Sequence, residues 1–181
     1  MDSPSPAPMP DLRAAVRVVP DFPEAGIQFQ DLTPILADPD LFAEMLDRLA
    51  APWAEAGVTH VVGMESRGFW FGPALAARLG AGFVPARKPG KLPAATRSVS
   101  YALEYGTDTL ELHAADLPEA ARVLVHDDVI ATGGTAAATC DLVRACGATL
   151  VGVSMAMELA FLDGRAKLPE GVPCEAVLVV E

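Results

Sequence analysis

Two aspartates, Asp127 and Asp128, follow the apolar run of residues 122–126, and Val129, Ile130, Ala131, Thr132, Gly133, Gly134 and Thr135 come directly after them. Paired glycines let a backbone bend until successive N–H groups converge, and a helix opening behind them adds unpaired donors and the positive end of its dipole. Thr132 and Thr135 contribute hydroxyl donors, so this half of the loop suits a phosphate. Ionised aspartates only accept hydrogen bonds, and a cis-diol offers two donors side by side. Diol plus phosphate describes ribose 5-phosphate. The chain contains no GxxxxGK[ST] run, and no G-x-G-x-x-G stands at a strand-to-helix turn, so neither a Walker loop nor a dinucleotide fingerprint competes.

A second constellation is electrical. The 181 residues carry a net charge of -11, which argues against general nucleic-acid binding, since affinity for polyanions comes mainly from Lys and Arg. Yet no Asp or Glu occurs from Ser66 to Leu103, while Arg67, Arg78, Arg87, Lys88, Lys91 and Arg97 all fall there. One acid-free basic segment in an acidic chain points to a small, highly charged anion. Cys140, Cys146 and Cys174 fit neither a paired disulfide framework nor C-x-x-C spacing, and His60, His113 and His126 show no paired metal spacing. A reducing compartment, the cytoplasm, is expected, with no protein-held zinc. No apolar run approaches the roughly 20 residues of a membrane span.

These residues need a scaffold. Asp11 caps a short helix reaching Val18, and Asp38-Pro39 starts a second helix from 39 to 51 or 56, with Leu41, Phe42, Met45, Leu46 and Leu49 at helical spacing. Continuous apolar runs at 59–64, 82–86, 122–126 and 149–157 predict strands covered on both faces, with helices over 69–79 and 135–146 between them. The alternation predicts an α/β fold, a mainly parallel sheet flanked by helices. Residues 98–113 read as a β-hairpin around Gly106, a flap over the site, and 175–180 as a last strand. The first ten residues read as a disordered leader and 11–181 as a single domain. Ligands of such sheets bind beyond the carboxyl ends of the strands.

The order of apolar strand, Asp-Asp, apolar pair and Ala-Thr-Gly-Gly-Thr resembles the phosphoribosyl-pyrophosphate (PRPP) signature of type I phosphoribosyltransferases. PDFPEAGIQFQDLTPIL at 20–36, ESRGFWFGPALA at 65–76, RKPGKLP at 87–93, SYALEYG at 100–106 and MELAFLDGRAKL at 157–168 are similar, in the same order, to segments of adenine phosphoribosyltransferases. The resemblance covers nearly the whole chain from Val18. It implies the type I fold with a hairpin flap and a small N-terminal hood, a homodimer, and transfer of a 5-phosphoribosyl group from PRPP to adenine with Mg²⁺, giving AMP and pyrophosphate.

Residue by residue, the resemblance places Asp127, Asp128, Ala131, Thr132, Gly133, Gly134 and Thr135 on the ribose phosphate. It places Ser66, Arg67, Gly68, Arg87, Lys88 and Lys91 at the pyrophosphate, where guanidinium and ammonium groups suit phosphate oxygens. Glu104 matches the acid/base that handles a purine proton, Arg67 is its catalytic partner on the leaving group, and Tyr105 belongs to the flap. Ile27, Phe29, Gln30 and Leu159 match adenine contacts. The metal is expected on substrate oxygens and water, with no direct protein ligand, because Mg²⁺ keeps much of its hydration. Gln30 stands where the family often has a basic residue, and His126 where it has an aliphatic; no role is assigned to His126. The alternatives are a phosphoribosyltransferase for another base, or a PRPP-binding regulator, for which residues 1–20 supply only Arg13 and Arg17 as nucleic-acid contacts.

Overall fold

Branched aliphatic runs set the strands and glycines set the turns between them. A computed structural model describes residues 11–102 and 106–181; the leader 1–10, and Glu104 and Tyr105 with Leu103 in the hairpin, lie outside the described residues. The chain divides into two compact units, Met1–Asp47 and Arg48–Glu181.

In the first unit, Asp11 caps α1 (Leu12–Ala15) by accepting from the amides of Arg13 and Ala14 at 3.0 and 3.2 Å. The helix predicted to reach Val18 stops at Ala15, because the β-branched pair Val18-Val19 joins β1 (Arg17–Pro20) instead. This strand pairs antiparallel with β2 (Gln28–Asp31), Arg17 facing Asp31 in register. The Arg17 guanidinium donates to Asp31 Oδ2, and Asp31 Oδ1 accepts from the Thr33 amide at 2.9 Å at the start of α2 (Thr33–Ala37). Although burial alone would raise it, Asp31 lies below its ordinary value because Thr33 and Arg17 bond the charged form. Asp38 then caps α3 (Pro39–Ala50) through the amides of Asp40 and Leu41; the boundary between units falls inside this helix.

The second unit holds the α/β sheet: β3 (His60–Met64), α4 (Gly72–Arg78), β4 (Gly82–Ala86), then β5 (Thr96–Ala102), β6 (Thr107–His113), β7 (Arg122–Ile130), α5 (Gly134–Ala145), β8 (Thr149–Leu159) and β9 (Cys174–Val180). Five strands lie in the order β4-β3-β7-β8-β9, all parallel. β5 and β6 form the separate antiparallel hairpin. On one face Val62, Met64, Val123, Val125, Val153 and Met155 pack beneath Ala136, Cys140, Leu142 and Val143 of α5. Each such aliphatic side chain contributes about 1.5–3 kcal/mol by leaving water. The helix predicted over 69–79 is shorter than read, a 3₁₀ turn Arg67–Phe69 followed by α4 with Pro73 in its first turn. Among the described residues, no helix is long and apolar enough to cross a membrane.

Chain order reverses between β3 and β7: β3 continues through α4 to β4 on one side, and β7 through α5 to β8 on the other. The loops leaving β3 and β7 therefore diverge, opening a crevice at their carboxyl ends.

Candidate active site

A cavity of about 310 Å³ occupies that crevice. The aspartates predicted to open a loop belong to β7, which runs on to Ile130 because Val129 and Ile130 pair with Met157 and Glu158 of β8. They are consequently fixed by sheet hydrogen bonds. Burial pushes Asp127 well above the usual carboxylate range, and the neighbouring Asp128 charge adds to the effect. Burial raises Asp128 as well, opposed by Arg67, whose Nε lies 3.2 Å from Asp128 Oδ2.

Beyond Ile130 the chain turns through Ala131, Thr132 and Gly133, all on the cavity wall with Gly134 and Thr135. Gly133 takes φ 77°, a left-handed conformation that a residue with a Cβ adopts at a cost, and becomes the N-cap of α5 without any side-chain capping bond. An uncapped helix start presents backbone donors to whatever enters. The Tyr101 hydroxyl reaches Thr135 Oγ1 at 3.4 Å, which brings the hairpin to the same wall.

Ser66, Arg67 and Lys88 also line the cavity. Gly68 does not; a Cβ there would meet the His126 carbonyl at 2.9 Å and Asp127 Oδ1 at 3.0 Å, so its part is to let the β3 loop lie against β7. The Glu65–Ser66 peptide of this loop is cis. Arg87 and Lys91 are also away from the cavity wall and converge instead on Glu65. Arg87 Nε donates to Glu65 Oε2 at 3.2 Å, Lys91 Nζ bonds Glu65 Oε1, and the Lys88 amide donates to Oε2 at 3.0 Å. Burial would raise the Glu65 carboxyl, but these donors hold it below its ordinary value. The Lys88 ammonium pairs with Asp108 Oδ2 at 3.0 Å, which lowers Asp108 and raises Lys88.

Three cations of the acid-free segment thus meet acids just outside it, Arg87 and Lys91 at Glu65 and Lys88 at Asp108. Sequence reading passed over both, and over Tyr101; the one local signal was Glu65 immediately before Ser66. Of the adenine candidates, Ile27, Phe29 and Gln30 lie in the first unit, where Phe29 packs edge-on against Phe22 at 5.1 Å and Gln30 Nε2 donates to the Gln28 carbonyl. Leu159 ends β8 in the second. His126 is fully buried, its Nδ1 2.9 Å from the Ser154 carbonyl, and burial lowers its pKa to about 4. Among the described residues, no group of three or more His, Cys, Asp or Glu side chains could hold a metal ion.

Residues 36–168, which include this crevice, match the family model of the phosphoribosyl transferase domain. An adenine phosphoribosyltransferase of Synechococcus sp. (strain JA-3-3Ab) is 56% identical over 172 residues, 94% of this chain and 98% of that protein. The Streptomyces coelicolor adenine phosphoribosyltransferase is 52% identical, covering 93% of this chain and 94% of its own. The crystal structure of adenine phosphoribosyltransferase from Rhodothermus marinus matches with a TM-score of 0.89 at 53% identity, over 93% of this chain and 96% of that one. The Saccharomyces cerevisiae enzyme, solved with adenine and an imino-altritol bisphosphate, matches at 0.87 and 43% identity, over 92% and 96%. The chain belongs to the adenine phosphoribosyltransferase family.

Proposed function

We propose that the chain transfers the 5-phosphoribosyl group of PRPP to N9 of adenine, giving AMP and pyrophosphate. The observation that carries this reading is one cavity lined together by the Ala131–Thr135 turn, the Asp127-Asp128 pair, Arg67 and Lys88. In the reaction the ribosyl C1–O bond to pyrophosphate breaks, the C1–N9 bond forms, and adenine gives up a proton. The turn holds the 5-phosphate through its amides and the Thr132 and Thr135 hydroxyls, with Ala131, Gly133 and Gly134 allowing close approach. Asp127 and Asp128 accept from the ribose hydroxyls. Positive character grows on the sugar and negative charge on the leaving pyrophosphate, so fixed cations there stabilise the transition state more than the ground state.

Ser66, Arg67 and Lys88 take that place, Gly68 shapes their loop, and Arg87 and Lys91 add charge through the Glu65 cluster. Glu104 takes up the purine proton and Tyr105 belongs to the flap, both proposed on family resemblance. The adenine contacts of Ile27, Phe29 and Gln30, and that of Leu159, are proposed on family resemblance. Mg²⁺ suits the site through its substrate: Asp127 and Asp128 offer carboxylate oxygens to a hydrated ion, while Asp128 is already occupied by Arg67. When bound, the ion would supply charge that offsets the phosphates. The buried free thiols of Cys140, Cys146 and Cys174 accord with a cytoplasmic enzyme, and we expect a homodimer, checked by sedimentation.

The decisive experiment incubates purified protein with Mg²⁺-PRPP and adenine, hypoxanthine, guanine, xanthine or orotate in turn. AMP should form with strong preference for adenine. Preference for another base would move the chain to another specificity, and binding of PRPP without any nucleotide product would favour a regulator.

A further inference from the structure

The segment after β8 forms the back of the phosphate-binding turn. It leaves the sheet at Leu159, reverses at Asp163 with φ 50°, and passes through the 3₁₀ turn Gly164–Lys167. Gly164 and Gly133 lie backbone to backbone. A Cβ on Gly133 would run into the Gly164 carbonyl oxygen, and a Cβ on Gly164 into the Ala131 carbonyl, with the Gly133 amide nitrogen 3.0 Å away. Both residues are glycine because neither backbone leaves room for a side-chain carbon on the other.

What keeps Gly164 in place is the next residue. The Arg165 guanidinium grips Glu158 with both arms, Nε to Oε1 and Nη2 to Oε2 at 2.7 Å each, and its remaining nitrogen bonds the Cys174 carbonyl. Glu158 is buried and sits in register with Ile130, the last strand residue before the turn. A two-pronged pair with a third bond to a neighbouring strand fixes position as well as charge, unlike a single exposed ion pair.

We propose that Arg165 is a positioning residue for PRPP: by tying its segment to Glu158 and to β9, it presses Gly164 against Ala131–Gly133 and so sets the direction of the turn's amide donors. This rests on the reading of 131–135 as the ribose-phosphate turn. Misplacing donors by about an ångström is enough to cost up to roughly 100-fold.

The test measures steady-state AMP formation by wild type, Arg165→Met, Arg165→Lys and Gly164→Ala, with thermal melts as a folding control. Arg165→Met should raise KM for PRPP by roughly 10- to 100-fold with KM for adenine unchanged. Arg165→Lys, which keeps charge but not the fork, should recover part of the loss. Adding Glu158→Gln to Arg165→Met should produce no further rise, because the pair acts as one unit. Gly164→Ala should shift KM for PRPP in the same direction; where it does not fold, Arg165→Lys carries the test. A folded Arg165→Met with wild-type KM for PRPP, or an equal rise in both KM values, would overturn the proposal. Failure of the wild type to make AMP refutes the assigned reaction and is seen separately.

Discussion

Arg67→Met perturbs two properties at once, and the structure separates them. Arg67 is a cation on the cavity wall and also the counter-charge of Asp128, whose side chain is 3% exposed against 45% for the arginine. Removing one partner of a fully buried pair costs about 3–5 kcal/mol, and the solvent around Arg67 reduces that here to about 1–2 kcal/mol. For a chain of this size the corresponding fall in Tm is roughly 2–8 °C.

The pH dependence gives the sharper test. Asp128 is raised by burial, so the folded protein holds its proton more tightly than the unfolded chain, and stability declines as pH rises through the folded pKa. Below the ordinary aspartate value of 3.8 a protonated Asp128 gains little from Arg67, and variant and wild type should melt together. As pH rises and the carboxyl ionises, only the wild type has a cation to meet it, and the gap in Tm should widen. Turnover should fall about 10- to 150-fold in kcat/KM, the value of a charge-assisted bond to the leaving group. The double variant Arg67→Met/Asp128→Asn should regain most of the stability and none of the activity. A Tm difference independent of pH, measured by scanning calorimetry without ligand, would refute the reasoning.

Three further outcomes are expected. Glu65→Gln loosens Arg87, Lys91 and the Lys88 amide together, raising KM for PRPP by about tenfold; since Glu65 is held below its ordinary value, the variant should also lose part of the wild type's drop in stability as pH falls below its unfolded-chain value of 4.5. Gly133→Ala adds a left-handed penalty to a collision with Gly164, about 2–5 kcal/mol together, and should lower Tm while abolishing stabilisation by added PRPP. His126 titrates at about 4 when folded and near 6.5 when unfolded, so wild type should lose up to about 3 kcal/mol as pH falls between those values, and His126→Leu should remove that part of the slope in calorimetric melts.

The parts of the site legible in the sequence were those encoded locally. Thr132-Gly133-Gly134-Thr135 announces a tight turn into a helix because the glycine conformation and the helix start are consecutive. The hairpin at Gly106 and the parallel alternation were legible for the same reason. The extension of β7 through Asp127 and Asp128 was not, since two acids look like a strand's end until Met157 and Glu158 are seen alongside as partners. Nor was β1, whose two valines follow a good helix cap and whose partner, Gln28–Asp31, is polar. The counter-charges of the basic segment are a tertiary property: Glu65 meets Lys91 across 26 positions, and Asp108 meets Lys88 from the β5-β6 hairpin.

That pairing of charges bears on how quickly the site fills. Arg67 rests against Asp128, Lys88 against Asp108, and Arg87 and Lys91 share Glu65, so beyond the screening length three acids offset most of the charge of four cations. Long-range steering by the pocket should therefore be weak, and association of a polyanionic ligand should not slow as salt is added despite these cations. Attraction develops only at contact, when the ligand's oxygens take over from the carboxylates. An abundant simple anion gains little by such an exchange, and the crevice discriminates by geometry at close range.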